Sequence, residues 1–215
     1  MVQFTLEDID AAETARRAAL FGPLTDAVRG LVDATIRTEV DEDTIRDVHA
    51  SILAATDRLR ARQIDGAFGV RYTHHGEAMA WGNSVIGLRN AIAPPLSVTH
   101  EPGGVVWSEF VLGAAYEGPP GHVHGGVCAL VLDQILGMSA ASNDKPNFTG
   151  TLTLRYRRGT PLGPLRVDAR IDRVEGVKTF VVGTISDAAG VTVEADGVFI
   201  LPTWARESGG EPTSK

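Results

Sequence analysis

The sequence predicts an α+β protein: a curved antiparallel sheet wrapped around one long hydrophobic helix, with a helical extension before it. Three observations carry this. Four strand-like runs, 149–158, 165–174, 179–187 and 191–201, follow one another with only turn signals between them, and consecutive strands joined by short turns pair antiparallel. Residues 127–141 form one segment that is apolar nearly all round, so it reads as a helix buried on most sides. A sheet with one apolar face has to cover it, and this helix is the strongly hydrophobic element available.

The elements are justified in chain order. Residues 1–65 hold 13 acids against 8 bases and little Gly or Pro, and they read as helices. One begins at Leu24, where Leu24, Val28, Leu31, Val32 and Ile36 recur at spacings of three and four and Pro23 suits a first turn. A second begins at Asp43, with Ile45, Val48, Ile52, Leu53, Thr56 and Leu59 on one stripe and Asp43 or Thr44 as cap. These apolar stripes need a partner surface, either the following domain or a second subunit. Residues 66–95, rich in Gly, His and Asn and ending in Pro94-Pro95, read as an irregular connector. Residues 96–204 are the sheet-and-helix domain, with a strand around Trp107, Glu109 and Val111. Residues 205–215 are a polar tail expected to be disordered.

Composition excludes several classes. With 43% hydrophobic and 22% charged residues, the 215-residue chain is neither intrinsically disordered nor collagen-like. A single cysteine, Cys128, excludes a disulfide scaffold and a cysteine-based zinc cluster. The net charge of −7 argues against a general nucleic-acid binder. Residues 1–10 carry Glu7, Asp8 and Asp10 and no base, the reverse of a secretory signal, and the apolar run 127–141 is too short to span a bilayer. The expectation is a soluble, cytoplasmic protein that binds neither nucleic acid nor membrane.

The candidate chemistry gathers at the entry of the apolar helix. Gly125 and Gly126 follow His124 and leave backbone N–H groups bare at a helix N-terminus, where an anion or a developing oxyanion is stabilised. The same pair also suits a tight turn. Asp133 is the one charged residue in the helix. A buried carboxylate is costly unless paired, which points to a general base, a nucleophile, or a structural Asp bonded to backbone or Arg. In the run 149–158, Leu152, Leu154 and Tyr156 point one way; Thr149, Thr151, Thr153, Arg155 and Arg157 point the other. Residues 149–173 hold six bases and two acids, a local positive strip that Lys178 could join and that suits a small anion. The alternating charges of Arg166, Asp168, Arg170 and Asp172 read as a solvated face. His122 and His124 lack partners at metal-ligand spacing, so no metal is expected. Cys128 reads as packing.

His124-Gly125-Gly126 with Asp133 nine positions after the histidine resembles the signature of hotdog-fold acyl-CoA thioesterases of the PaaI-like class. The loop 116–121, the helix 127–138, the run 149–158, the segment 173–176 and the ending 195–200 are similar to it as well, so the resemblance covers about residues 96–202. It implies a homodimer, or a tetramer built from it, with continuous sheets and paired sites at the interface, acting on acyl-CoA without metal or organic cofactor. It also implies roles: the N–H of Gly125, beside Gly126, polarises the thioester carbonyl; Asp133 from the facing subunit activates water or attacks; Thr149 orients the water. Arg155, Arg157 and Lys178 would hold the phosphates of coenzyme A, and His124 would shape the loop by bonding backbone. Family members often carry an amide six residues before the motif histidine. Here that place is Gly118, with Glu117 beside it as a candidate substitute. Two other readings stay open: an enoyl-CoA hydratase or dehydratase, and a non-catalytic acyl-CoA-binding module.

Overall fold

A computed structural model describes residues 4–76, 78–142 and 145–207. The chain divides into two compact units, Met1–Ala93 and Pro94–Lys215. The tail expected to be disordered lies, from residue 208 on, outside the described residues; before it, Thr203–Glu207 form a short helix.

The first unit contains β1 (Phe4–Glu7), α1 (Ala11–Arg37), α2 (Glu42–Arg60), β2 (Val70–Thr73) and β3 (Ala78–Met79). β1 pairs parallel with β2, and β2 antiparallel with β3. The connector read as irregular thus holds two strands, and the extension holds one. α1 starts earlier than Leu24: Asp10 caps it by accepting the Glu13 N–H at 2.8 Å, and Pro23 lies inside the helix. There Pro23 withholds a backbone donor, and the Thr25 hydroxyl donates to the Phe21 carbonyl at 2.9 Å. α2 is capped by Asp41 rather than by Asp43 or Thr44. The Asp41 carboxylate accepts from both the N–H and the hydroxyl of Thr44, each at 2.9 Å. None of the residues of α2 is buried.

The second unit carries β4 (Thr99–Glu101), β5 (Val105–Leu112), α3 (Gly125–Ala140), β6 (Phe148–Tyr156), β7 (Gly163–Glu175), β8 (Lys178–Asp187) and β9 (Gly190–Ile200). One antiparallel sheet has the order β4-β5-β7-β8-β9-β6. The chain leaves β5, crosses one face of the sheet as α3, and re-enters at the opposite edge as β6. Val131, Leu132, Ile135 and Leu136 of α3 are fully buried against inward side chains such as Val106, Val167, Val181 and Phe199. Gly183 and Gly197 form the hollow for Leu136: a Cβ at Gly183 would stand 2.5 Å from its Cδ1. The helix is not covered all round. Gly126 and Leu130 are exposed and Asp133 and Gly137 half-buried, which leaves one open stripe beside the edge strand β6.

Candidate active site at the helix entry and the edge strand

The loop before α3 is held from both sides. The N–H of Val123 donates to the Thr160 carbonyl, that of Leu162 to the Gly121 carbonyl, and that of His124 to the Tyr116 carbonyl. Gly118 fits because it has no side chain; a Cβ there would stand 2.7 Å from the His124 Cα. The position six residues before His124, expected as the place for a water-binding amide, is therefore closed by backbone. Glu117 does not replace that amide: its carboxylate accepts the Gly121 N–H at 2.7 Å and closes the turn.

His124 is the N-cap of α3, and its Nδ1 accepts the Gly126 N–H at 3.0 Å. Tyr156, on β6, donates its hydroxyl to the Gly125 carbonyl at 2.8 Å. Burial pushes the Tyr156 phenol up, which keeps it protonated and a donor. The Gly125–Gly126 peptide is thus clamped at both ends, its N–H by His124 and its carbonyl by Tyr156. The N–H of Gly125 itself has no partner among the described residues, and it sits at the positive end of the helix dipole. Gly126 contributes by closing onto His124 and does not offer a second free donor. Alternation alone sets Tyr156 on the side of Leu152 and Leu154; its phenol lies 31 residues along the chain from Gly125 and reaches it because β6 lies beside α3.

Asp133 lies eight residues along α3. It is half-buried, not enclosed, because the open stripe of the helix runs through it. Its Oδ1 accepts the Thr149 hydroxyl at 2.9 Å. Simple alternation put Thr149 on the face away from the helix. A bulge between Thr149 and Thr151 shifts the phase by one residue, so Thr149 joins Leu152, Leu154 and Tyr156 on the helix side. The pair leaves the second carboxylate oxygen of Asp133 available to a water.

The cations lie on the other face of the sheet. Arg155 pairs with Asp196, and Arg157 with Glu194 at 2.6 Å, both acids coming from β9. Arg158 pairs with Asp187 and holds that carboxyl down to about 2. The strip that is positive along the chain is therefore neutralised across strands. Lys178 is exposed, makes no ion pair among the described residues, and stands opposite Ile200 near the start of β6. Arg155 is about 20 Å further along that strand, at ~3.3 Å per residue. The structure brings together Asp133 with Thr149, and His124 with Gly125, Gly126 and Tyr156. It does not bring Arg155, Arg157 and Lys178 together. Cys128 is buried with its thiol 3.7 Å from the Thr160 hydroxyl, and burial pushes that thiol up, so it is packing rather than a nucleophile. No group of three His, Cys, Asp or Glu suited to a metal ion occurs among the described residues. No described helix is long and apolar enough to cross a membrane.

Within one chain the two halves of the site stand apart. Eight residues of helix separate Gly125 from Asp133, about 12 Å at ~1.5 Å per residue. That is too far for both to act on one carbonyl carbon. Two surface concavities, one around Phe110 and Arg166 and one around His100 and Met138, include neither half.

Residues 120–194 match the family described as Thioesterase superfamily. A crystal structure described as protein RHA08564, a thioesterase superfamily protein, superposes with a TM-score of 0.75 at 35% identity, covering 84% of this chain and 90% of that one. Among curated relatives, acyl-coenzyme A thioesterase THEM4 of Xenopus laevis is 34% identical over 94 residues, 42% of this chain and 42% of its own. Acyl-coenzyme A thioesterase THEM5 of Homo sapiens is 31% identical over 102 residues, 46% of this chain and 41% of its own. The chain therefore spans less than half the length of these curated relatives. It belongs to the thioesterase superfamily, and the sheet wrapped on α3 is the hotdog fold.

Proposed function

We propose that the chain is an acyl-CoA thioesterase that hydrolyses an acyl-CoA to the free acid and coenzyme A, working as a homodimer joined through β6. The names of the matched relatives support the substrate class. The observation that carries the reading is the split site. A free N–H at Gly125 suits a thioester oxyanion and an Asp133–Thr149 pair suits water activation, yet the two lie about 12 Å apart in one chain. β6 is an edge strand of nine residues with largely exposed side chains, flanked by the open stripe of α3. Pairing β6 with its two-fold mate continues the sheet and sets the second copy's Asp133 against the first copy's Gly125.

In this mechanism the thioester carbonyl accepts from the Gly125 N–H, which gains strength as the oxygen becomes anionic. Asp133 takes a proton from water while Thr149 fixes the carboxylate, and water attacks the carbonyl carbon. The thiolate of coenzyme A leaves and takes up the proton. Thiol release measured over straight-chain and aryl acyl-CoA substrates tests the reading; no turnover on any of them, with saturable binding instead, would leave a binding module.

Two residues give sharper tests. Tyr156→Phe is expected to lower kcat about tenfold, the worth of one hydrogen bond, with KM little changed, because it loosens the Gly125–Gly126 peptide, which follows the oxyanion donor, without touching bound acyl chain. An increase in KM at constant kcat would instead make Tyr156 a wall of the pocket. We also assign the first phosphate contact to Lys178, since Arg155 and Arg157 would have to give up Asp196 and Glu194. Lys178→Ala is expected to raise KM for acyl-CoA several-fold and to leave KM for a short acyl thioester lacking the nucleotide unchanged. Equal effects on both substrates remove Lys178 from the site.

A further inference from the structure

We infer that α2 is a self-association surface, docking antiparallel on the α2 of a second copy of this chain with the crossing at Ile52. A 19-residue helix is marginal in water by propensity alone and takes its stability from an apolar stripe laid on another surface. α2 has such a stripe in Ile45, Val48, Ile52, Thr56 and Leu59, and none of its residues is buried. Ile45 is 50% exposed, Val48 44% and Leu59 56%, while Ile52 and Thr56 between them are half-buried, so the apolar face is open at both ends and in part at its centre.

The order of the residues says what covers it. Read outward from Ile52 in both directions, the stripe repeats itself: Val48 answers Thr56, and Ile45 answers Leu59. A helix with that symmetry meets a reversed copy of itself with Ile45 against Leu59 and Val48 against Thr56, whose hydroxyl is already bonded to the Ile52 carbonyl at 2.8 Å, and a two-fold axis through Ile52 relates the two, as an isologous contact requires.

Charge selects the antiparallel arrangement. At about 100° per residue, Glu42 and Arg60 fall on the same flank of the stripe, with Arg46 and Asp57 further round on that side. In a reversed pairing centred on Ile52, Glu42 of one helix lies beside Arg60 of the second copy, a pair that occurs twice. A parallel pairing sets Glu42 against Glu42 and Arg60 against Arg60. Arg46 already bonds Glu42 at 2.7 Å and Asp43 at 2.6 Å within its own helix, so the flank becomes a network. The macrodipoles agree, since the acidic N-terminal turn meets the C-terminal turn that carries Arg58 and Arg60.

This inference rests on α2 alone and is independent of the contact proposed through β6. The test uses the full chain, whose own Cys128 is buried. Ile52→Cys is expected to give a disulfide-linked dimer under mild oxidation, while Ala54→Cys, on the opposite side of the helix, does not. Glu42→Arg and Arg60→Glu are each expected to raise the dissociation constant read by sedimentation equilibrium about tenfold, and the double variant to restore it. Thioester hydrolysis per chain stays unchanged in all of them, which separates this result from any failure of the proposed function. No linked dimer from Ile52→Cys, equal linking from Ala54→Cys, or no rescue in the double charge variant overturns the inference.

Discussion

Asp133→Asn is expected to lower kcat for acyl-CoA hydrolysis by about 10²–10⁴, the usual worth of a positioned base, and to leave the fold intact. The asparagine keeps the shape of the side chain, and its carbonyl oxygen can still accept the Thr149 hydroxyl that Asp133 accepts at 2.9 Å. It cannot take a proton from water. Asp133 is half-buried and holds no ion pair among the described residues, so its replacement strands no buried charge and the thermal midpoint should move little. Thiol release under saturating substrate reads the first quantity, and circular dichroism on heating reads the second. Turnover near wild type would sink the assignment of Asp133. A single turnover in ¹⁸O-water then tests attack by Asp133 itself, since label in the Asp133 carboxylate requires an aspartyl anhydride opened by water at the Asp133 carbon.

What the sequence made legible was local. His124, Gly125, Gly126 and the first turns of α3 are contiguous, so an oxyanion-type helix entry could be read from spacing; that His124 bonds backbone was implied only by the family resemblance, and its Nδ1 accepts the Gly126 N–H. Four runs separated by turns became β6 to β9 for the same reason. What failed was set by pairing across distance. Thr149 changes faces because Gly150 falls in a bulge against β9; a glycine inside a strand was the available signal. Arg155 and Arg157 looked like a free positive strip because charges were counted along one segment, and their acids come from a strand about forty residues on. Asp133 looked buried because its neighbours in sequence are apolar, but one face of α3 is open in a single chain. β1 and β2 escaped notice because a parallel pair is joined only through the two helices between them.

Gly125→Pro is expected to remove the oxyanion donor, at a cost of about 10²–10³ in kcat. Position N1 of a helix accepts proline, since its N–H bonds nothing within the helix. The residue before a proline must be extended, and His124 already is, at φ −59° and ψ 132°. The added ring meets the Tyr156 phenol, whose oxygen stands 3.3 Å from an ideal Cβ at Gly125, so a small shift of that side chain suffices. The more telling experiment mixes this variant with Asp133→Asn. If each site takes Gly125 from one chain and Asp133 from the other, a mixed dimer holds one site with both defects and one with neither. Two nearly inactive proteins, exchanged to equilibrium, should then recover roughly a quarter of wild-type activity, since half the dimers are mixed and half of their sites are whole. If Gly125 and Asp133 served the same site from one chain, every site in every dimer would carry a defect, and mixing would recover nothing. The placement of a helix-entry donor and a carboxylate about 12 Å apart on one helix therefore makes a prediction about assembly that activity alone can read.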